Sequence, residues 1–574
     1  MGAGFRPICR VIKYSWRVST SPTAKLLSSY VIFTSTAVSV FVSPWNSLDP
    51  VNLPKLMALG ILSTTAVGLA SSNLRFAKSR GSRMLMIILI LFLAQLILAL
   101  IVSPGDLSFH LYGTPNRSTG FLAYLFLTFL LFVSASSASS SVLKKFAYSL
   151  LGVGGFLGLY GLGQSQGLEV FNYVNSYESA VFGTFGNPNF QSAFMGMTAA
   201  VALSLMIFSH LKLLLKVGFF AIWLIAISNI YLSSEQGYLN FLAGFLAAVL
   251  VYLFSKKKMI LAWIGLALSV LGGFLVLTGI LNSGPLADLL YKSSLQARGF
   301  YWRAAINMMV DRPFFGVGLD GFGVWYRRSR TQSAAEFNAD VVSDTAHNIP
   351  LDIGSGGGIP LLIFYLLILG LALNAIVKVI KRSQDFDPIF ASIVAGWVAY
   401  QAQSLISINQ LGLGVWGWSF TGLLIGYELN TRDKSSNTQT QLSGKVSKMK
   451  EKIPASALLF AVAAAAIGAS VSLPPYLAAN KYYKALQSGD ATLLQQSAYL
   501  KPYDRTRFLY TAQILADNKL ENQAIAVLLD ATKIYPDSFE LWQRWSQIPS
   551  ATSEQITKAK SEMKRLDPFN PALK

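Results

Sequence analysis

Charge, histidine and cysteine are all scarce in this chain. Only 13% of residues are charged, against about 25% in a soluble domain, so a fully solvated globular protein is excluded for most of the length. The one cysteine, Cys9, permits no internal disulfide. Three histidines occur in 574 residues. Asp340, Asp344 and Asp352 lack any regular metal-ligand spacing, and neither a metal nor another cofactor is expected. Residues 1–25 contain no acid. No cleavable signal peptide is expected, because the first apolar run starts after residue 25 without a small-residue cleavage site. Met1-Gly2 also lacks the serine or threonine at position 6 that myristoylation requires.

What fills the chain instead is apolar sequence. Hydrophobic residues make up 53%, and runs near twenty residues recur, the length that crosses a hydrocarbon core. Thirteen spans are predicted, near 26–43, 54–71, 84–103, 120–141, 146–163, 189–208, 216–232, 237–254, 259–280, 359–377, 388–408, 411–428 and 454–473. Those at 54–71 and 411–428 are the weakest. The fold class is therefore all-α, a polytopic membrane protein.

Basic residues set the expected orientation. Arg6, Arg10, Lys13, Arg17 and Lys25 start the chain, and every second loop is basic: Arg75 to Arg83, Lys144 and Lys145, Lys212 and Lys216, Lys256 to Lys258, then Lys378, Lys381 and Arg382. The short loops of the other parity hold almost none, Arg117 excepted. This pattern places the N-terminus in the cytoplasm. It also accounts for the net charge of +20, since scattered charges form no nucleic-acid patch.

The expected organisation is a basic N-terminus (1–25), a membrane core (26–428) with a polar loop at 281–358, a cytoplasmic linker (429–453), a last span (454–473) and an extracytoplasmic tail (474–574). In the tail, Leu500-Lys-Pro502, Ile534-Tyr-Pro536 and Leu566-Asp-Pro568 recur at 34 and 32 residues, the period of tetratricopeptide helix pairs. Trp542, Trp545 and Phe539 are expected in its core. The tail is expected to recruit an acceptor or protein partner rather than to perform chemistry.

Polar motifs concentrate in loops of one parity: Gly113-Thr-Pro-Asn-Arg117-Ser-Thr-Gly120, Gly183-Thr-Phe-Gly-Asn187-Pro-Asn189, Ser233-Ser-Glu-Gln236-Gly237, Ser407-Ile-Asn409-Gln410, and the 281–358 loop. That loop carries Arg298-Gly-Phe-Tyr-Trp302-Arg303, Pro313-Phe-Phe-Gly316-Val-Gly318-Leu-Asp320, Tyr326-Arg327-Arg328 and Thr345-Ala-His347-Asn348. Each has a plainer account when taken alone. Arg117 snorkels, Gly186-Asn187-Pro-Asn189 makes a turn, and Arg298 with Trp302 shares one face of a surface helix. Arg327 and its neighbours bind lipid headgroups. Against these stand a histidine able to exchange a proton near neutral pH and arginines able to hold an anion.

Taken in order from about residue 113 to 428, these motifs resemble the O-antigen ligase and polymerase superfamily of bacterial membrane glycosyltransferases. Gly-Thr-Phe-Gly-Asn-Pro-Asn and the Arg298…His347-Asn348 pair are the most specific elements. A tetratricopeptide-like tail occurs in members similar to protein O-oligosaccharyltransferases. The resemblance implies a cell-envelope enzyme of polysaccharide biosynthesis in the bacterial cytoplasmic membrane. Such an enzyme moves a glycan from undecaprenyl pyrophosphate to a hydroxyl acceptor (lipid, wall polymer or protein) on the outer face, without metal. It implies His347 as general base and Arg298 as pyrophosphate ligand. Arg117, Asn187, Asn189, Gln236, Trp302, Arg303, Arg327 and Asn348 are the expected substrate-binding positions. Where many relatives carry Ser-Arg-Gly, this chain has Ser234-Glu-Gln-Gly237, so a second cation must come from Arg117, Arg303 or Arg327. An acidic residue is also missing just before Gly358, leaving Asp344 or Asp352 as a substitute partner for His347. A polymerase of the same superfamily is the alternative. A transporter or flippase is a weaker one, because charges within spans and paired repeats are lacking.

Overall fold

The computed structural model describes residues 22–45, 47–71, 81–171, 181–290, 293–436 and 453–573. The basic segment 1–21 and most of the expected linker, 437–452, lie outside them. The described residues form α-helices and short 3-10 turns, with no strand. Hydrocarbon enforces this, because a spanning segment must satisfy its own backbone polar groups.

Thirteen helices stand where the apolar runs predicted them. In chain order the first nine, with one short loop helix among them, are α1 (Pro22–Val40), α2 (Asn52–Ala70), α3 (Arg83–Val102), the loop helix α4 (Leu107–Tyr112), α5 (Phe121–Ser137), α6 (Ser140–Ser165), α7 (Pro188–Phe208), α8 (Leu213–Ser233), α9 (Gln236–Ser255) and α10 (Met259–Ile280). The polar segment contributes α11 (Ala287–Leu290), α12 (Ser293–Asp311), α13 (Phe322–Ser329) and α14 (Gln332–Phe337). Then come α15 (Ile349–Arg382), α16 (Pro388–Ile406), α17 (Leu411–Ser436) and α18 (Ala455–Ser488). Ten of the thirteen are long and apolar enough to cross a membrane. Of the other three, α5 is 17 residues long, α1 is diluted by serine and threonine, and α17 is rich in glycine and tryptophan. The weak run at 54–71 is thus a full candidate span, and the weak run at 411–428 is not among the ten. Ile260, Trp263, Leu268 and Phe274 on α10 are all exposed, as lipid-facing side chains are.

Small residues allow the closest helix contacts. A Cβ at Gly68 of α2 would overlap the backbone at Phe460 and Ala461 of α18, and one at Gly468 would overlap Gly60. Such contacts drive helix association in lipid, where apolar side chains gain nothing by leaving the solvent. Lys55 is wholly buried, and its Nζ donates to the Val38, Ser39 and Phe41 carbonyls at 2.9, 2.8 and 3.0 Å. The cation thereby caps the C-terminus of α1, where the helix leaves carbonyls unpaired.

The two ends of the bundle differ. At one end the connections are short, as at 138–139, 209–212, 256–258 and 383–387, and Arg382 pairs with Glu428 at 3.2 Å. All the polar motifs meet at the other end. There Asn52 donates to the Asn116 carbonyl at 2.8 Å, Ser43 bonds Tyr476 at 3.0 Å, and Asn348 donates to the Leu405 carbonyl at 2.9 Å.

The tail sits on this loop end. The boundary drawn at residue 474 is not a break: α18 runs on through Pro474 and Pro475 to Ser488. Beyond it, α19 (Ala491–Ala498), α20 (Arg505–Asp517), α21 (Glu521–Ile534), α22 (Phe539–Ser546) and α23 (Ser553–Leu566) pack as antiparallel hairpins. The hairpins α20–α21 and α22–α23 begin 34 residues apart, at Arg505 and Phe539. Trp542 and Trp545 stack at 5.5 Å in the core of the tail. Arg330 and Asp567 pair at 2.7 Å with both side chains fully buried, and Arg327 joins the same carboxylate at 3.2 Å.

Candidate functional site

The site is built around a broken helix. At Gly358, within α15, φ is +81° and ψ 170°, a conformation that suits glycine. The break frees carbonyls, and the Pro313–Gly318 turn takes them up. Val317 N–H donates to the Ser355 carbonyl at 2.8 Å, Gly318 N–H to Gly356 at 3.1 Å, and Ile359 N–H to Pro313 at 2.8 Å. Gln95, the lone polar residue in the apolar face of α3, donates Nε2 to the Phe314 and Gly357 carbonyls at 2.6 and 3.0 Å. The glycines of both motifs are required by proximity. A Cβ at Gly316 would overlap the Ser355 carbonyl, and one at Gly358 would overlap Phe314. Pro-x-x-Gly-x-Gly is thus a backbone dock for a helix break, not a phosphate cradle.

Asp320 ends this turn and clamps the 113–120 loop. Its carboxylate accepts from Thr114 N–H at 2.6 Å and Thr119 Oγ1 at 3.1 Å. Burial pushes its carboxyl up to about 6, against the lowering effect of those hydrogen bonds. His110 pins the same turn from below, its ring nitrogens 3.0 and 2.9 Å from the Leu319 and Pro104 carbonyls. The clamp brings Arg117 to the 298–352 segment.

His347 stands between these parts. Its backbone is left-handed, φ +52°, and is held by three neighbours. Its N–H donates to Thr345 Oγ1 at 3.2 Å, and the preceding Ala346 N–H donates to Asp352 at 2.6 Å. Asn348 caps α15 by accepting from Leu351 N–H at 3.0 Å. The imidazole stacks on Tyr301 with centroids 5.6 Å apart, and is half-buried with no hydrogen bond on either ring nitrogen among the described residues. Burial first, then the charges of Arg298 and Arg117, lower its basicity to about 3. Arg298 lies on α12 one turn before Tyr301 and Trp302. Burial lowers its guanidinium to about 10, partly offset by Tyr301. Neither Arg298 nor Arg117 has an acidic partner within ion-pair distance among the described residues. Two arginines whose charges act on one imidazole, neither with an acidic ion-pair partner among the described residues, are an arrangement able to hold an anion beside a proton acceptor.

Other expected residues are placed differently. Arg303 is exposed, turned away from Arg298 on α12. Arg327 is held by the tail: it pairs with Asp567, stacks on Phe539 at 4.0 Å and approaches Glu540 at 3.8 Å. Of the three candidates for the second cation, Arg117 is the one whose charge acts on His347. Asn187 caps α7 by accepting from Asn189 N–H at 2.8 Å, and both lie at the start of that helix. Gln236 opens α9 with both amide atoms buried and without a hydrogen bond among the described residues. Trp302 packs in the loop-domain core with its Nε1 likewise unpaired. Asp352 serves the backbone at Ala346 rather than the imidazole.

Sequence reasoning gave no role to Asp320, Tyr301, Gln95, Tyr124 or Asn409. Gln95 carried a usable signal, since a polar residue inside an apolar span is costly and marks a function. Asp320 carried only its place beside the glycine turn.

Residues 219–366 match the O-Antigen ligase family. The matched segment holds Arg298, Asp320, His347 and Asp352, while Arg117, Asn409 and the tail lie outside it. No curated protein matches the chain.

Proposed function

We propose that this protein is a membrane glycosyltransferase of the ligase type. It would transfer a glycan from a polyprenyl pyrophosphate, undecaprenyl pyrophosphate in a bacterial inner membrane, to a hydroxyl acceptor on the outer face. The observation that carries this reading is the half-buried imidazole of His347, without a ring hydrogen bond among the described residues and under the charges of Arg298 and Arg117, at the loop end of a membrane bundle. The match at 219–366 supports it.

The chemistry follows from the positions. Arg298 and Arg117 hold the two phosphoryl groups of the donor. The acceptor oxygen bonds to the anomeric carbon as its proton passes to a ring nitrogen of His347. The bond from that carbon to the pyrophosphate oxygen breaks, and its electron pair stays on the pyrophosphate. Fixed cations stabilise that developing charge without reorganising. Burial is the main cause of the low basicity of His347 and the two arginines add to it, so a bound polyanion relieves the part that they contribute. The docked tail, read as tetratricopeptide-like, offers an extended surface for a large acceptor or protein partner, which favours a ligase over a polymerase.

The test uses purified protein in nanodiscs with a polyprenyl-pyrophosphate-linked glycan. His347→Ala is expected to bind donor but lose transfer, and Arg298→Ala to lose donor binding. Transfer by His347→Ala at the wild-type rate refutes the mechanism, and failure of the wild type to bind any polyprenyl pyrophosphate refutes the function.

A further inference from the structure

His110 takes no part in the proposed chemistry, yet it is built into the support of the anion site. It lies on the loop helix α4 and is 3% exposed. A Cβ at Gly318 would overlap its ring, so glycine there makes room for the imidazole. The ring joins two separate segments: Nδ1 lies 3.0 Å from the Leu319 carbonyl and Nε2 2.9 Å from the Pro104 carbonyl.

Both partners are carbonyl oxygens, which only accept. A neutral imidazole donates from one nitrogen and presents a lone pair on the other. It can bond Leu319 or Pro104, and it sets a lone pair against the oxygen that it does not bond. With a proton on each nitrogen the ring donates to both, and bonds from an ionised donor are the stronger kind. The charged and titratable groups around the ring are Asp106 at the start of its own helix, Asp320 next to Leu319, and Arg505, Tyr535 and Asp537 of the tail. Arg312 and Arg328 stack on Trp325 behind them. Arg328 pairs with Asp537 at 2.9 Å, and Arg505 approaches Glu540 at 3.8 Å. Asp106 and Asp320 make no ion pair among the described residues, which leaves two carboxylates to favour a cation against Arg312.

We infer that His110 is a positioning residue: its doubly protonated ring ties the chain at Pro104 to the glycine turn and so holds Arg117 for the donor. The link runs from Leu319 to Asp320, whose carboxylate accepts from Thr114 and Thr119 on either side of Arg117. The inference rests on the proposed transferase reading, because Arg117 acts through the donor. When the ring loses a proton, one carbonyl bond is lost, the turn loosens and donor affinity falls. The folded state holds the extra proton, so this contribution is present at low pH and is lost as pH rises.

The test titrates wild type and His110→Gln in nanodiscs with polyprenyl pyrophosphate, from about pH 5 to about pH 9, across the ordinary histidine range. Glutamine has one donor nitrogen and cannot serve both carbonyls. The variant is expected to bind about tenfold more weakly at the acid end, and the two affinity curves should converge at the alkaline end. Asp320 and the probe titrate in both proteins, so the convergence belongs to His110. A second measurement needs no variant to fold: nitrogen-15 NMR of wild type labelled at its three histidines. The His110 ring, assigned by its absence from His110→Gln, should carry protons on both nitrogens at the acid end and lose one as pH rises. A constant offset between the affinity curves makes the role merely structural and overturns the inference. Equal affinities at every pH overturn it as well, and so does a His110 ring with a single proton at the acid end, which leaves the transferase reading intact. If wild type binds no polyprenyl pyrophosphate at any pH, the transferase reading fails and the inference falls with it.

Discussion

Asp567→Asn should detach the tail from the loop helices that carry Arg327 and Arg330. Asp567 is fully buried and receives four guanidinium contacts: three from Arg330, at 3.2, 2.9 and 2.7 Å, and one from Arg327, at 3.2 Å. The Arg330 side chain is also fully buried. Asparagine keeps the shape but removes the charge, leaving two guanidinium groups in a dry interface. Breaking a buried pair by removing one partner costs about 3–5 kcal/mol, and at about 1.4 kcal/mol per tenfold that shifts docking by two to nearly four powers of ten. Hydrogen exchange on protein in nanodiscs measures this directly, with faster exchange expected in α13, α14 and α23 and none in α20 or α21. An apolar replacement, Asp567→Leu with Arg330→Met, should recover most of the protection, because a packed apolar pair of similar volume is often neutral relative to the ionic one. Unchanged exchange in Asp567→Asn would refute the reasoning, as would a double variant no better than the single. The consequence reaches the chemistry. α13 follows Asp320 directly, so a loosened tail relaxes the clamp on the 113–120 loop. The sequence suggested a tail that recruits and nothing more. The buried pair predicts instead that removing the tail depresses transfer to small and native acceptors alike.

His347→Ala should lower transfer by about a hundredfold to ten-thousandfold, measured as single-turnover rates with donor bound. Arg298→Lys should weaken donor binding, because a point charge lacks the fork that meets two phosphate oxygens; titration with polyprenyl pyrophosphate reads this. Burial, and after it the charges of Arg298 and Arg117, lower the His347 imidazole from its ordinary 6.5 to about 3. The folded state therefore binds fewer protons than the unfolded one between pH 3 and 6.5. The stability linked to this residue is full above pH 6.5 and is lost as pH falls toward 3, so His347→Gln should flatten the acid limb of a thermal-denaturation profile. Gly358→Ala should cost about 1–3 kcal/mol through its positive φ and its overlap with Phe314, whereas Gly370→Ala, in open space on the same helix, should leave the melting temperature unchanged.

The spans were legible because one physical demand, about twenty apolar residues, writes itself along the chain, and basic loops punctuate it. The site was legible only in part. Arg298 and His347 stand out because charge and histidine are rare here. Arg117 stood out as the exception among the short loops of that parity, which otherwise hold almost no cation. The parts that sequence reasoning misplaced depend on long-range pairing. Arg327 looks like any loop arginine until Asp567, 240 positions later, closes on it. Arg303 sits beside Trp302 in sequence, yet helical periodicity turns it to the opposite surface. The glycine motif was unreadable because its partner is another glycine segment, and backbone-to-backbone docking leaves no side-chain signature.

The departure from Ser-Arg-Gly at 234–237 has a physical answer in the same geometry. An anion site needs two cations near the proton acceptor, and which element supplies them matters less than whether they arrive without carboxylate partners. Arg117 meets that condition through Asp320. The carboxylate spends itself on Thr114 and Thr119, so it fixes the loop without making an ion pair with the arginine three residues past Thr114. An aspartate that instead paired with Arg117 would hold the same loop but neutralise the site. Asp320→Asn separates these roles. Its amide oxygen can still accept from Thr114 and Thr119, so the loop should stay in place, and donor binding should not weaken. An alanine there removes the clamp and should lose donor affinity together with Arg117. Equal donor affinity in Asp320→Ala and wild type would show that Arg117 reaches the site without the clamp.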